Sequence, residues 1–131
     1  MDLTLIVLKN SYAICRFDKT SSIPEWVSKS DFYSVTRTQD ELSIVCNQLI
    51  IESDETFLFD KDWRCIKIDS LLDLSLIGII AGISNILKEN KIPIFTISTY
   101  NTDYILVKKQ HLDNAIESLR IKGYKIIFEN S

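Results

Sequence analysis

The order of elements over residues 63–128 constrains this chain more than any other feature. Trp63-Arg64-Cys65-Ile66-Lys67-Ile68 is short and alternates in type, which predicts a strand. Leu76, Ile79, Ile80, Ile83, Ile86 and Leu87 then recur at spacings of three and four, the pattern of an amphipathic helix. Asp73 and Ser75 both carry side-chain oxygens able to accept the first free backbone N–H groups of that helix. Its end is expected near Asn90-Lys91, because Pro93 cannot continue it. Residues 92–98 and 103–108 are β-rich and flank the polar turn Thr99-Tyr100-Asn101-Thr102, a predicted hairpin. Residues 110–122 place Leu112, Ala115, Ile116 and Leu119 on one face of a second helix. Gly123 suits its left-handed exit, and Tyr124-Lys125-Ile126-Ile127-Phe128 closes the series as a strand. Strand, helix, strand, strand, helix, strand is a ferredoxin-like βαββαβ arrangement of the α+β class.

Residues 1–62 read as strand-dominated. Runs at 3–8 and 12–17 flank Lys9-Asn10-Ser11 and predict a hairpin. Residues 32–38 and 41–46 flank Gln39-Asp40 and predict another. Residues 22–27 suit a short helix with Ser22 as cap and Pro24 in its first turn. Residues 56–59 suit a short strand ahead of a turn at Asp60-Lys61-Asp62. No sequence repeat links the halves, although they share a mix of elements. The expected division is an irregular unit over 1–62 and the βαββαβ unit over 63–131.

Composition narrows the function classes. The chain has 131 residues, 46% hydrophobic and 25% charged, with a net charge of -3 and scattered lysines and arginines. That gives no concentrated basic face for nucleic acid. The N-terminus carries Asp2 where a signal peptide needs basic residues. The longest apolar run, 74–86, is too short to span a bilayer and is broken by Ser75, Gly78, Gly82, Ser84 and Asn85. A cytoplasmic protein without membrane association is expected. Cys15, Cys46 and Cys65 lie far apart among strand-like apolar residues, which suits buried thiols. With a single histidine, His111, no metal site or cofactor is expected. His111 lies at a helix start with no partner in view, and no serine or cysteine has an obvious base, so no catalytic residue is expected. Gly78 and Gly82 lack the lysine of a phosphate-binding loop, and their spacing suggests a close helix contact.

Two segments suit binding. The first, Asp73-Leu74-Ser75-Leu76-Ile77-Gly78, opens a helix whose unpaired N–H groups and partial positive charge can hold a carboxylate. The same residues also serve simply as a helix cap. The second, Ser98-Thr99-Tyr100-Asn101-Thr102-Asp103, offers a carboxylate to an ammonium group and hydroxyls as hydrogen-bond partners. It also reads as an ordinary polar turn. A positive helix end beside a lone carboxylate matches the two charges of a free amino acid.

At these segments the chain resembles the ACT-domain proteins of bacteria, in particular a small stand-alone group related to the arginine-sensing ACT proteins of animal cells. The resemblance rests on Phe32-Tyr33-Ser34-Val35-Thr36-Arg37-Thr38, Glu41-Leu42-Ser43-Ile44-Val45-Cys46 and Trp63-Arg64-Cys65. It also rests on Ser75-Leu76-Ile77-Gly78-Ile79-Ile80-Ala81 and, most specifically, on the run from Ile94 to Val107 that contains Ser98-Thr99-Tyr100-Asn101-Thr102-Asp103. It implies two ACT-like units in a tandem sandwich, with an amino acid held at an interface between units. The ligand-facing residues it implies are Ser75, Leu76, Ile77 and Gly78, together with Ser98, Thr99, Tyr100, Asn101 and Asp103. Many regulatory members have Pro-Gly before the first helix, where this chain has Ile77-Gly78. The implied role is a non-catalytic amino-acid sensor. The alternative is a protein-interaction or homodimerisation module without a small ligand, with Ile77, Ile79, Ile80 and Ile83 forming its face.

Overall fold

The computed structural model describes residues 3–53, 56–69 and 78–130. Seven strands and two α-helices follow one another: β1 Thr4–Phe17, β2 Ser34–Arg37, β3 Leu42–Asn47, β4 Leu58–Asp69, α1 Ile79–Glu89, β5 Ile94–Ser98, β6 Asp103–Lys108, α2 Leu112–Ile121 and β7 Lys125–Phe128. Short 3-10 turns occupy Glu25–Lys29, Gln48–Ile50 and Lys109–His111. The chain divides into two compact units, one of Met1–Lys9 with Arg64–Ser131 and one of Asn10–Trp63. The N-terminal segment therefore groups with the βαββαβ elements, which corrects a division at 62/63 that left residues 1–9 in the first unit.

In the larger unit the neighbouring strands run β7, β1, β4, β6, β5. The βαββαβ order holds from β4 to β7, and β1 occupies the place between β4 and β7. It pairs parallel with β7, Leu5 opposite Ile126 and Val7 opposite Phe128. The β5–β6 hairpin is antiparallel, with Ser98 opposite Asp103 at its closed end. Period-two alternation sends Leu3, Leu5, Val7, Ile66, Ile68, Ile105, Val107 and Ile126 to one face. There they pack with Ile79, Ile83, Ile86 and Leu87 of α1 and Leu112, Ala115, Ile116 and Leu119 of α2. The isoleucines of α1 that were a candidate docking face belong to this core: Ile79 and Ile83 are buried, Ile80 is partly buried against them, and Ile77 lies outside the described residues. Helix α1 ends at Asn90, whose amide side chain donates to the Ile86 carbonyl, and Gly123 leaves α2 with φ 97°.

In the smaller unit β2 pairs with β3, and β3 with the second half of β1, both antiparallel. Ala13, Cys15, Phe17, Leu42, Ile44 and Cys46 share one face and pack with Trp26, Val27 and Phe57. The Phe17 and Phe57 rings stack at 4.2 Å between centroids. Two expected turns are absent. Lys9-Asn10-Ser11 lies in mid-strand in β1, and Asp60-Lys61-Asp62 lies within β4. Asp62 adopts φ 68°, and Gln48 holds it from both sides: its side-chain oxygen accepts from the Asp62 N–H and its amide donates to the Asp62 carboxylate. Side-chain bonds from Gln48 thus carry the strand through a conformation that usually ends one.

All three cysteines are buried thiols. The Cys46 thiol hydrogen-bonds Cys15, and together with burial it holds the Cys15 pKa far above the ordinary 9.0. A thiol raised in the folded state adds stability that is fully present below its unfolded value and lost as pH rises beyond it. Stability is therefore expected to fall above about pH 9, with native thiols inert to a disulfide reagent at pH 8 and reactive once denaturant is added. Full labelling of the native protein within the mixing time contradicts that burial.

Candidate functional site

Among the described residues no side chain caps the start of helix α1. Gly78 precedes it with φ 84°, a left-handed conformation that favours glycine, and its carbonyl accepts the Gly82 N–H at 2.9 Å. No acidic residue lies in the first turn. The partial positive charge of the helix start is therefore not neutralised within that turn. Ser75, Leu76 and Ile77 lie outside the described residues, so the structure locates only Gly78 of that predicted set. Among the described residues no close contact at the Gly78/Gly82 pair is found. A Cβ added at Gly82 would meet only the Tyr124 hydroxyl at 3.5 Å, an ordinary distance, and one at Gly78 would meet nothing within 4 Å.

The structure brings Ser98 and Asp103 together. They are cross-strand partners, and the Ser98 hydroxyl donates to Oδ1 of Asp103 at 2.5 Å. Alternation along β6 puts Asp103 on the same face as Ile105 and Val107, the face that carries the helices. Thr99 closes the turn: its N–H and hydroxyl both reach the Thr102 carbonyl, at 2.9 and 3.0 Å. Tyr100, at the tip, is 99% exposed, and Asn101 is also exposed. Neither is brought to Asp103 by a hydrogen bond among the described contacts.

Sequence reasoning passed over Thr102. It is only 3% exposed, and its hydroxyl donates to the Ile68 carbonyl at 2.6 Å. Ile68 is near the end of β4, from which the chain leaves toward α1. Thr102 therefore ties the hairpin turn to the strand that feeds the helix entry. Nothing in the sequence separates it from Thr99, its near neighbour in the same polar turn. Thr102→Val keeps the shape and orphans a buried carbonyl, and is expected to cost about 1–3 kcal/mol. Urea unfolding measures it, and a change under about 0.5 kcal/mol would remove this anchor.

Among the described residues no group of histidine, cysteine, aspartate and glutamate is arranged to hold a metal ion. His111 precedes α2 and makes no capping bond with its side chain. No described helix is long and apolar enough to cross a membrane.

Comparison with known proteins gives this architecture a family. A model of the ACT domain matches residues 58–120. An Agrobacterium tumefaciens protein of known structure is 33% identical, with a TM-score of 0.92, and the match covers 100% of this chain and 96% of that one. This chain is an ACT-domain protein. A model of an N-terminal domain matches residues 10–54, which corresponds to most of the smaller unit. A Vibrio cholerae protein of unknown function superposes with a TM-score of 0.72 at 17% identity, covering 91% of this chain and 88% of that one. The regulatory subunit of aspartate kinase from Thermus thermophilus does so with a TM-score of 0.62 at 9% identity, covering 87% and 93%. Identities this low carry the ACT fold alone. No curated protein matches the sequence.

Proposed function

We propose that this ACT-domain protein is a non-catalytic, cytoplasmic regulatory module that binds a free amino acid. The observation that carries the reading is the Asp103 carboxylate, held by Ser98 in a turn that Thr102 anchors beside the end of β4. The chain runs from there to the start of α1, whose first turn holds no acidic residue. Asp103 would take the ligand ammonium, and the helix start would take its carboxylate. In this reading Ser75, Leu76, Ile77 and Gly78 form the helix-side wall, and Ser98, Thr99, Tyr100 and Asn101 the hairpin side. A second ACT unit closing over the ligand is part of the proposal. Binding would shift a conformational or assembly equilibrium by no more than the ligand's differential affinity for the two states.

The fold kinship with aspartate kinase regulatory subunits supports a regulatory role. Calorimetric titration with each of the twenty amino acids is the test. A saturable heat for one amino acid, or for a small set of related ones, is the expected result. A flat response to all twenty at millimolar concentration overturns the reading.

A further inference from the structure

The smaller unit carries a pocket that amino-acid binding at Asp103 leaves unused. Phe17 at the end of β1, Trp26 in the first 3-10 turn and Phe57 just before β4 form one wall of it. Their ring centroids lie 4.2, 6.0 and 6.5 Å apart in pairs, and all three side chains are buried at the margin of that unit's core. Ser21, Ser22, Thr56 and Glu52 supply the polar side, and the space enclosed is about 210 Å³. That equals the liquid volume of about seven waters, so the pocket suits a small molecule and not a folded partner. Glu52 is the one charged residue among the described residues that line it.

The loop that carries the two serines is held from both sides. Asp18 accepts the Thr20 N–H and hydroxyl, both at 2.9 Å, and its carbonyl accepts the Ser21 N–H at 2.9 Å. Arg37 of β2 donates to the Lys19 carbonyl and, at 2.6 Å, to the Ser21 carbonyl. The side chains of Ser21, Ser22 and Glu52, by contrast, make no hydrogen bond or ion pair among the described residues. Ser22 was expected to cap the short helix, but Pro24 takes the cap position and no side chain caps the turn. A backbone fixed in this way, with its hydroxyls unused, meets a ligand at little ordering cost. We infer that this pocket is a second ligand site, for a small organic cation: an alkylamine or alkylguanidine whose charged head bonds to Glu52 and the serine hydroxyls and whose carbons lie against the three rings. Carboxylate and hydroxyl oxygens accept the hydrogens that such a head donates, and its carbons gain by leaving water beside the rings. The described lining holds no cationic side chain, so a ligand carboxylate would enter without a partner. The pocket therefore favours an amine over the amino acid that carries one carboxylate more, and the inference does not rest on amino-acid binding at Asp103.

Saturation-transfer NMR and calorimetry on the full chain, with butylamine and ethylguanidine as probes, test it. Both should bind saturably at millimolar concentration. Butanol, which lacks the charge, and norvaline, which adds a carboxylate to butylamine, should fail to displace butylamine at equal concentration. Glu52→Gln should weaken butylamine binding by about tenfold or more, while Asp103→Asn leaves it unchanged. Glu52 is exposed, so urea unfolding of Glu52→Gln should match that of the unchanged protein. No binding of either probe overturns the inference, as does an affinity untouched by Glu52→Gln. Displacement by norvaline, or binding lost in Asp103→Asn and kept in Glu52→Gln, also overturns it.

Discussion

Asp103→Asn is expected to weaken amino-acid binding by about tenfold to a hundredfold, the loss of about 1.5–3 kcal/mol that follows when a hydrogen bond loses its charged partner. The substitution keeps the side-chain shape and an oxygen for the Ser98 hydroxyl to reach, so the hairpin closure survives. Unfolding free energy without ligand should therefore change by no more than about 1 kcal/mol. Calorimetry with the amino acid that the unchanged protein binds measures the first quantity, and urea unfolding the second. Undiminished affinity would move the ammonium partner away from Asp103 and take the hairpin out of the proposed site.

A second substitution separates the core of the larger unit from its exposed surface. Ile83 is fully buried in α1 among the strands of the larger unit. Ile83→Ala should cost about 2–5 kcal/mol of unfolding free energy, the lost transfer of its methyl groups plus the cavity left behind. That is a large part of the stability of a domain this size, and the loss should be independent of protein concentration. Ile121→Ala should change monomer stability by no more than about 0.5 kcal/mol, because its side chain already stands in water. If Ile83→Ala behaved like Ile121→Ala in denaturant, the placement of α1 against the sheet would be wrong.

The contrast explains what could be read from residues alone. Helix and strand periods recovered the elements from the second half of β4 to β7, because the core there demands apolar residues at fixed intervals on each one. Periodicity also put Ile79, Ile80 and Ile83 on a common face, but a face is all it gives: whether the sheet or another molecule covers it is a tertiary fact. Lys9-Asn10-Ser11 and Asp60-Lys61-Asp62 misled for a related reason. Polar residues punctuate a chain only where neighbouring strands leave the backbone unpaired, and the pairing that carries β1 and β4 onward comes from residues far away in sequence. Within the candidate site, Ser98, Asp103 and Gly78 were legible from their chemistry. Thr102 was not, since its role depends on Ile68, 34 residues earlier.

The placement of β1 has a consequence for anyone dividing this protein by its family match. The ACT model covers residues 58–120; a fragment cut to that span loses both β1 and β7, and one started at residue 63 keeps β7 but omits the strand lying between β4 and β7. Such a piece has a vacant lane in its sheet, with β7 lacking the partner that accepts its N–H groups and Leu5 and Val7 missing from the core. The first part of β1 is thus a donor strand for elements encoded about sixty residues downstream. The smallest fragment able to fold as this unit has to carry both ends of the sequence.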